Sequence, residues 1–222
     1  MLLGIDTCGS LGTVALARCS AGKLDLLAQS EIAGKTYSAQ LIPTIRDLLA
    51  AQNVALAAIA AIVVTNGPGS FTGIRIGLST AKGVAEPTSI PILAVSRLAV
   101  LAHKAGTHAA ALDASRGDFY CRDFSGPSAH ESLLTRDPFT QRADLLSHDL
   151  AICEPALLAI VPNATLVDPP TADDAIRFAL PRLHARDFDD PLLLDGNYLR
   201  RSDAEIFFQP GSPPRPRSAV QS

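Results

Sequence analysis

The sequence predicts an α/β chain made of two related halves. Three observations point to it. Apolar, β-branched runs alternate with amphipathic segments of helical period. A strand, glycine turn and helix unit spans Thr65 to Pro87. The opening pattern of strand, aspartate, glycine turn and strand returns after about Gly106. With 222 residues, 47% of them hydrophobic, the chain is long enough to bury a substantial core.

Leu2 to Thr7 reads as a strand ending at Asp6, Gly9 and Gly12 form a turn, and Thr13 to Ala17 is the return strand. A third strand near Leu24 to Glu31 completes an antiparallel meander. Asp6 at the strand end has two readings. It caps the turn through its own backbone hydrogen bonds, or, beside the small residues that follow, it resembles the first phosphate loop of the actin, Hsp70 and sugar-kinase superfamily, where the carboxylate acts through magnesium on a nucleotide. Thr36 to Ala50 carries Tyr37, Leu41, Ile42, Ile45, Leu48 and Leu49 at helical spacing, with Pro43 tolerated near a first turn or at a kink.

Ala61 to Thr65 is a buried strand, and the turn Gly67, Pro68, Gly69 leads into a helix that Ser70 or Thr72 can cap. The helix is expected from about Gly73 to Glu86, because Pro87 disfavours helical geometry in the residue before it. Arg75, Ser79, Lys82 and Glu86 make a polar stripe. Gly69, Gly73, Gly77, Ala81 and Ala85 recur every fourth residue and leave a second stripe of nearly bare backbone. Glycine within a helix costs up to about 1 kcal/mol against alanine, so close approach is the reason for it. That approach is either inside the domain or across a subunit interface. A third reading takes the turn as an anion site at the helix N-terminus. The stretch lacks the lysine of a nucleotide-binding P-loop and the central serine of a nucleophile elbow.

A strand at Ile90 to Val95 and a helix at Ser96 to Lys104 close the first half. Three strands followed by strands alternating with helices give a ribonuclease H-like layout. In the second half, Ala109 to Asp113 is a strand ending in an aspartate, Ser115 to Gly117 the turn, and Asp118 to Phe124 the next strand. A strand near Ser132 to Arg136 follows, then a helix from Pro138 to Leu146, short strands around Ala151 and Leu166, and a helix from Thr171 to Arg186. The expected domains are 1–105, a smaller degenerate half at 106–200, and a tail at 201–222. The end of that tail, around Gly211 to Arg217, is proline-rich and expected to be disordered.

A net charge of −3 argues against a chain that grips nucleic acid by itself. Asp6 interrupts the N-terminus before a signal-peptide core could form. The longest apolar run, Val54 to Val64, falls short of the roughly 20 residues that span a bilayer, so a cytoplasmic protein with no membrane partner is expected. Cys8, Cys19, Cys121 and Cys153 show no C-x-x-C spacing and read as buried free thiols. The five histidines are scattered, His103 and His108 sharing no helix face, so no histidine-held metal is expected.

The chain resembles the TsaB (YeaZ) family, the partner subunit of the bacterial machinery that makes threonylcarbamoyladenosine beside the tRNA anticodon. The resemblance covers most of the chain. It is carried by Ile5-Asp6-Thr7, by the run Gly67 to Gly77, by Asp113-Ala114 with Gly117 and Tyr120, and by Tyr198-Leu199-Arg200. Tyr37, Ser115 and Gly196 depart from it, standing where the family often has histidine, arginine and proline.

The resemblance implies a fold of the actin, Hsp70 and sugar-kinase (ASKHA) type that has lost catalysis. The catalytic relative, TsaD, carries paired metal-binding histidines and an adenosine-binding glycine motif; this sequence shows neither. Gly67, Pro68, Gly69 and Ser70 are then the motif loop. Asp6, Thr7 and Asp113 are remnants of phosphate loops, and Gly73, Arg75, Gly77 and Ala81 the surface for a TsaD-like subunit. A TsaE-like ATPase and tRNA join through the complex, which uses ATP and magnesium, whereas this chain holds no cofactor tightly and can pair with itself when alone. The alternative is an active nucleotide-dependent kinase or carbamoyltransferase using Asp6 and Asp113, or, further off, a protease, for which no Ser-His-Asp or metal-histidine set is legible.

Overall fold

The computed structural model describes residues 1–20, 22–123, 130–146 and 149–200. The first half runs β1 (Leu2–Asp6), β2 (Leu11–Ser20), β3 (Lys23–Ala33), α1 (Tyr37–Ala51), β4 (Ala61–Thr65), α2 (Phe71–Thr88), β5 (Ile92–Val95) and α3 (Arg97–Ala105). The second runs β6 (Ala109–Asp113), β7 (Asp118–Asp123), β8 (His130–Thr135), α4 (Arg136–Leu146), β9 (Leu150–Ile152), β10 (Thr165–Leu166) and α5 (Ala172–Ala185). One order of elements is therefore written twice, with the short 3-10 turn Pro155–Ala159 standing where the first half has α2. The proline-rich tail lies outside the described residues.

The two five-stranded sheets share one topology. Their orders are β3-β2-β1-β4-β5 and β8-β7-β6-β9-β10. In each, the first three strands are antiparallel and the last two join the first in parallel. This is the ribonuclease H-like layout in duplicate, the two-halved ASKHA arrangement.

Strands β1 and β4 are buried along their whole length, as strands covered on both faces must be. Leu3, Ile5, Ile62 and Val64 point toward α1 and α2, meeting Leu41, Ile45, Ile74 and Leu78. Leu2, Ala61 and Val63 point the other way, onto Ala172, Ala175, Ile176 and Ala179 of α5. In the second sheet Ala110, Leu112 and Ala151 meet Leu98, Leu101 and Ala102 of α3, and Ala109, Phe119 and Ile152 meet Phe139 and Ala143 of α4. The helices are thus exchanged across the boundary expected near residue 105. The first half lends α3 to the second sheet, the second lends α5 to the first, and α3 and α5 touch.

Helix α2 begins at Phe71 rather than Gly73 and passes Pro87. The Ser70 hydroxyl accepts the Gly73 N–H over 3.2 Å and sets the start. Pro87 falls in the last turn, which Ser89 closes in the left-handed conformation. Pro43 sits inside α1, beyond its first turn.

Candidate functional site

Asp6 ends β1 with its side chain only 2% exposed. One carboxylate oxygen, Oδ1, accepts the Cys8 backbone N–H and the Thr65 hydroxyl, each at 2.8 Å. The other, Oδ2, faces Arg97 at 3.6 Å from Nε. The turn-capping reading of Asp6 therefore holds, with an ion pair that the sequence did not reveal. The fold family's metal-bound nucleotide needs a carboxylate oxygen open to a cation; here Oδ1 is taken up by two hydrogen bonds and Oδ2 is faced by the Arg97 guanidinium, so the residues do not fit that group. Asp113 repeats the turn geometry, its Oδ1 accepting the Ser115 N–H at 2.8 Å, but it is exposed.

Thr7 joins the same loop to α2. Its hydroxyl donates to the Gly73 carbonyl over 2.7 Å. A Cβ on Gly73 would lie 1.9 Å from the Thr7 carbonyl oxygen, and one on Gly77 2.4 Å from Thr7 Oγ1. Gly73, Gly77 and Ala81 are buried in the free chain, which corrects their expected placement on a partner surface. Gly69, Gly73 and Gly77 answer the chain's own β1–β2 loop and Ala81 and Ala85 lie in the adjoining core, the intramolecular alternative. In the motif loop the Gly67–Pro68 peptide is cis, and the Ser70 N–H donates to the Cys8 carbonyl at 2.8 Å.

Arg75, the fourth residue expected at the interface, is exposed on the outward face of α2. Its guanidinium lies 3.9 Å over the Phe71 ring and 5.8 Å from that of Tyr198, and the two rings are 4.8 Å apart. Behind it runs a groove of about 470 Å³ bordered by Ser79, Lys82 and Leu194.

A cleft of about 870 Å³ opens between the halves. One wall is the β1–β2 loop with Tyr37 and Ser70; the other holds Asp113, Ser115, Tyr120 and Glu154, with Arg97 at the floor. The Tyr37 hydroxyl donates to the Gly9 carbonyl at 2.8 Å. Burial, with Asp6 adding to it, pushes Cys8 up to about 12, and burial pushes Tyr37 up to about 12. Both stay protonated, so neither is a ready nucleophile. Among the described residues no group of three His, Cys, Asp or Glu side chains could hold a metal ion.

Sequence reasoning missed Arg97 and Glu154. The signal for Arg97 was present: a cation in the first turn of a helix faces the wrong end of the dipole, and the apolar run after it leaves that helix no wet face. Glu154 carried no such mark.

Residues 28–130 match the family described as TsaD, tRNA N6-adenosine threonylcarbamoyltransferase. The chain is 32% identical over 129 residues to the tRNA threonylcarbamoyladenosine biosynthesis protein TsaB of Escherichia coli, a match spanning 55% of this chain and 54% of that protein. Identity to the Bacillus subtilis TsaB protein is 41% over 90 residues, 39% of each chain. The chain thus spans about half or less of the length of these curated relatives. The solved structure of YeaZ from Pseudomonas aeruginosa superposes with a TM-score of 0.70 at 26% identity, covering 89% of this chain and 99% of that one. No helix among the described residues is long and apolar enough to cross a membrane.

Proposed function

From this chain's membership of the TsaB (YeaZ) family, and hence a part in tRNA threonylcarbamoyladenosine biosynthesis, we propose that it is the accessory, non-catalytic subunit of that machinery. In this reading it supports a TsaD-like catalytic subunit, with a TsaE-like ATPase and tRNA joining through the complex, in the cytoplasm. The observation that carries it is the state of Asp6: the carboxylate best placed to hold a metal nucleotide is buried, doubly hydrogen-bonded and faced by Arg97. An active kinase or carbamoyltransferase would need that carboxylate free.

The docking surface we assign is the outward face of α2, with Arg75 stacked on Phe71 and Tyr198 and with Ser79 and Lys82 one and two turns on. A stacked guanidinium is a pre-ordered charge, which lowers the entropy lost on binding. The same face serves a self-pair when the partner is absent.

The test is reconstitution with a TsaD-like subunit, a TsaE-like ATPase and tRNA. Threonylcarbamoyl transfer is expected only when this chain is added, and none from the chain alone. Transfer or ATP hydrolysis by the lone chain, or failure to co-purify with the TsaD-like subunit, would overturn the reading.

A further inference from the structure

Arg97 is the first residue of α3, a helix seated on β6, β7 and β9 of the second sheet. Its side chain is 10% exposed. The guanidinium rests on Gly9 of the β1–β2 loop, where a Cβ would come within 2.7 Å of Nη2. Its charge is met by Asp6 at the end of β1, with Nε 3.6 Å from Oδ2. Its backbone N–H donates to the Gly67 carbonyl at 2.7 Å, which ties the helix start to the glycine turn.

The helix cap beside it reaches the other way. Ser96 donates to Glu131 of β8 at 2.5 Å, and Arg122 of β7 and Asn197 bond the same carboxylate. Across the cleft stands Glu154, one of whose oxygens is buried without a hydrogen-bond partner. Burial pulls the Arg97 pKa down, but the negative charge of Asp6 above all, with Glu154 beside it, more than offsets this, so the group stays charged. A single cation, carried by a helix on the second sheet, thus faces a carboxylate of the first at ion-pair distance, its Nε making no hydrogen bond.

We propose that Arg97 is a resident cation that does at this cleft what a bound metal ion would do: it neutralises Asp6 and ties the β1–β2 loop to the helix seated on the second sheet, so that the two halves hold one arrangement without a ligand. The inference concerns the lone chain and is independent of the accessory role.

Hydrogen exchange read by mass spectrometry on the full chain tests it, using wild type, Arg97→Met and Arg97→Lys, each alone, with manganese chloride, and with magnesium ATP. In wild type, exchange in the loops 7–12 and 113–118 is expected to be unchanged by either probe. Arg97→Met should speed exchange in those two loops by about tenfold more than in α1, and Arg97→Lys should restore most of the protection. A rise shared evenly by the whole chain would mark a merely structural residue and overturn the proposal, as would wild-type loops that gain protection from either probe. Should Arg97→Met not fold, Asp6→Asn, which removes the charge but keeps an acceptor for Cys8 and Thr65, is read in the same way: a selective rise supports the tie, while an even rise or none overturns it.

Discussion

Thr7 and Gly73 are joined twice over: the Thr7 hydroxyl donates to the Gly73 carbonyl at 2.7 Å, and the Thr7 carbonyl oxygen occupies the space a Gly73 Cβ would need. The glycines at the start of α2 therefore belong to the chain's own loop, and the alanines that continue their stripe to its core.

Gly77→Leu is accordingly expected to damage the fold rather than an interface. Overpacking a close contact costs about 1–3 kcal/mol or more, and at this size each kcal/mol lowers the melting temperature by about 2–4 °C. A fall of about 5 °C or more, or an insoluble chain, is expected in a thermal melt followed by circular dichroism. A lone chain melting within about 3 °C of wild type would show that the loop gives way.

Asp6→Ala strips the Arg97 guanidinium of its nearest carboxylate and leaves the Cys8 N–H and Thr65 hydroxyl short of an acceptor. Breaking a buried pair from one side costs about 3–5 kcal/mol, so the midpoint of urea unfolding should drop sharply. Per folded molecule, transfer by the reconstituted complex should be largely unchanged. A hundredfold loss, about 3 kcal/mol in barrier, from a folded and partner-bound variant would make Asp6 a working residue.

Arg75→Ala separates fold from docking. An exposed cation–π contact contributes only about 0.5–1 kcal/mol, so the lone chain should melt within about 3 °C of wild type. Affinity for the TsaD-like subunit should fall about tenfold or more, as for an interface arginine anchor, in isothermal titration. Unchanged affinity would move the docking face elsewhere.

Burial pushes the thiols of Cys8, Cys121 and Cys153 up to about 12 from 9.0. A thiol whose folded pKa is raised ionises first in the unfolded chain, which then binds fewer protons than the native one. Its stability contribution is complete below pH 9 and lost as pH rises toward 12, by as much as about 1.4 kcal/mol per pH unit for each thiol. Urea midpoints should fall between pH 8 and pH 10, and native protein should resist alkylation at these three cysteines. Rapid labelling of Cys8 in the folded chain would contradict its burial.

Much of the fold was legible because it rests on local signals. Continuous apolar runs such as Ala61 to Thr65 marked strands buried on both faces, and the repeated aspartate turn at Asp6 and Asp113 marked the duplication that the two sheet orders display. Helix limits were less legible, since the Ser70 cap and the left-handed Ser89 decide them through geometry rather than composition. The site was half visible. Small residues at Gly73 and Gly77 announced a close approach without naming what approaches, because spacing carries no information about the second surface. Arg97 and Asp6 lie far apart in sequence, and pairing at that separation is a product of topology alone.

The exchange of α3 and α5 between the sheets has a consequence for synthesis. The face of the first sheet that carries Leu2, Ala61, Val63 and Leu93 waits for Ala172 to Ala179 to cover it, and those residues emerge from the ribosome after most of the described chain has been made. Until then the nascent N-terminal portion carries an uncovered apolar sheet of the kind that chaperones recognise and that aggregates. A fragment ending at residue 105 should therefore be insoluble, and folding should be a single late event of the whole chain.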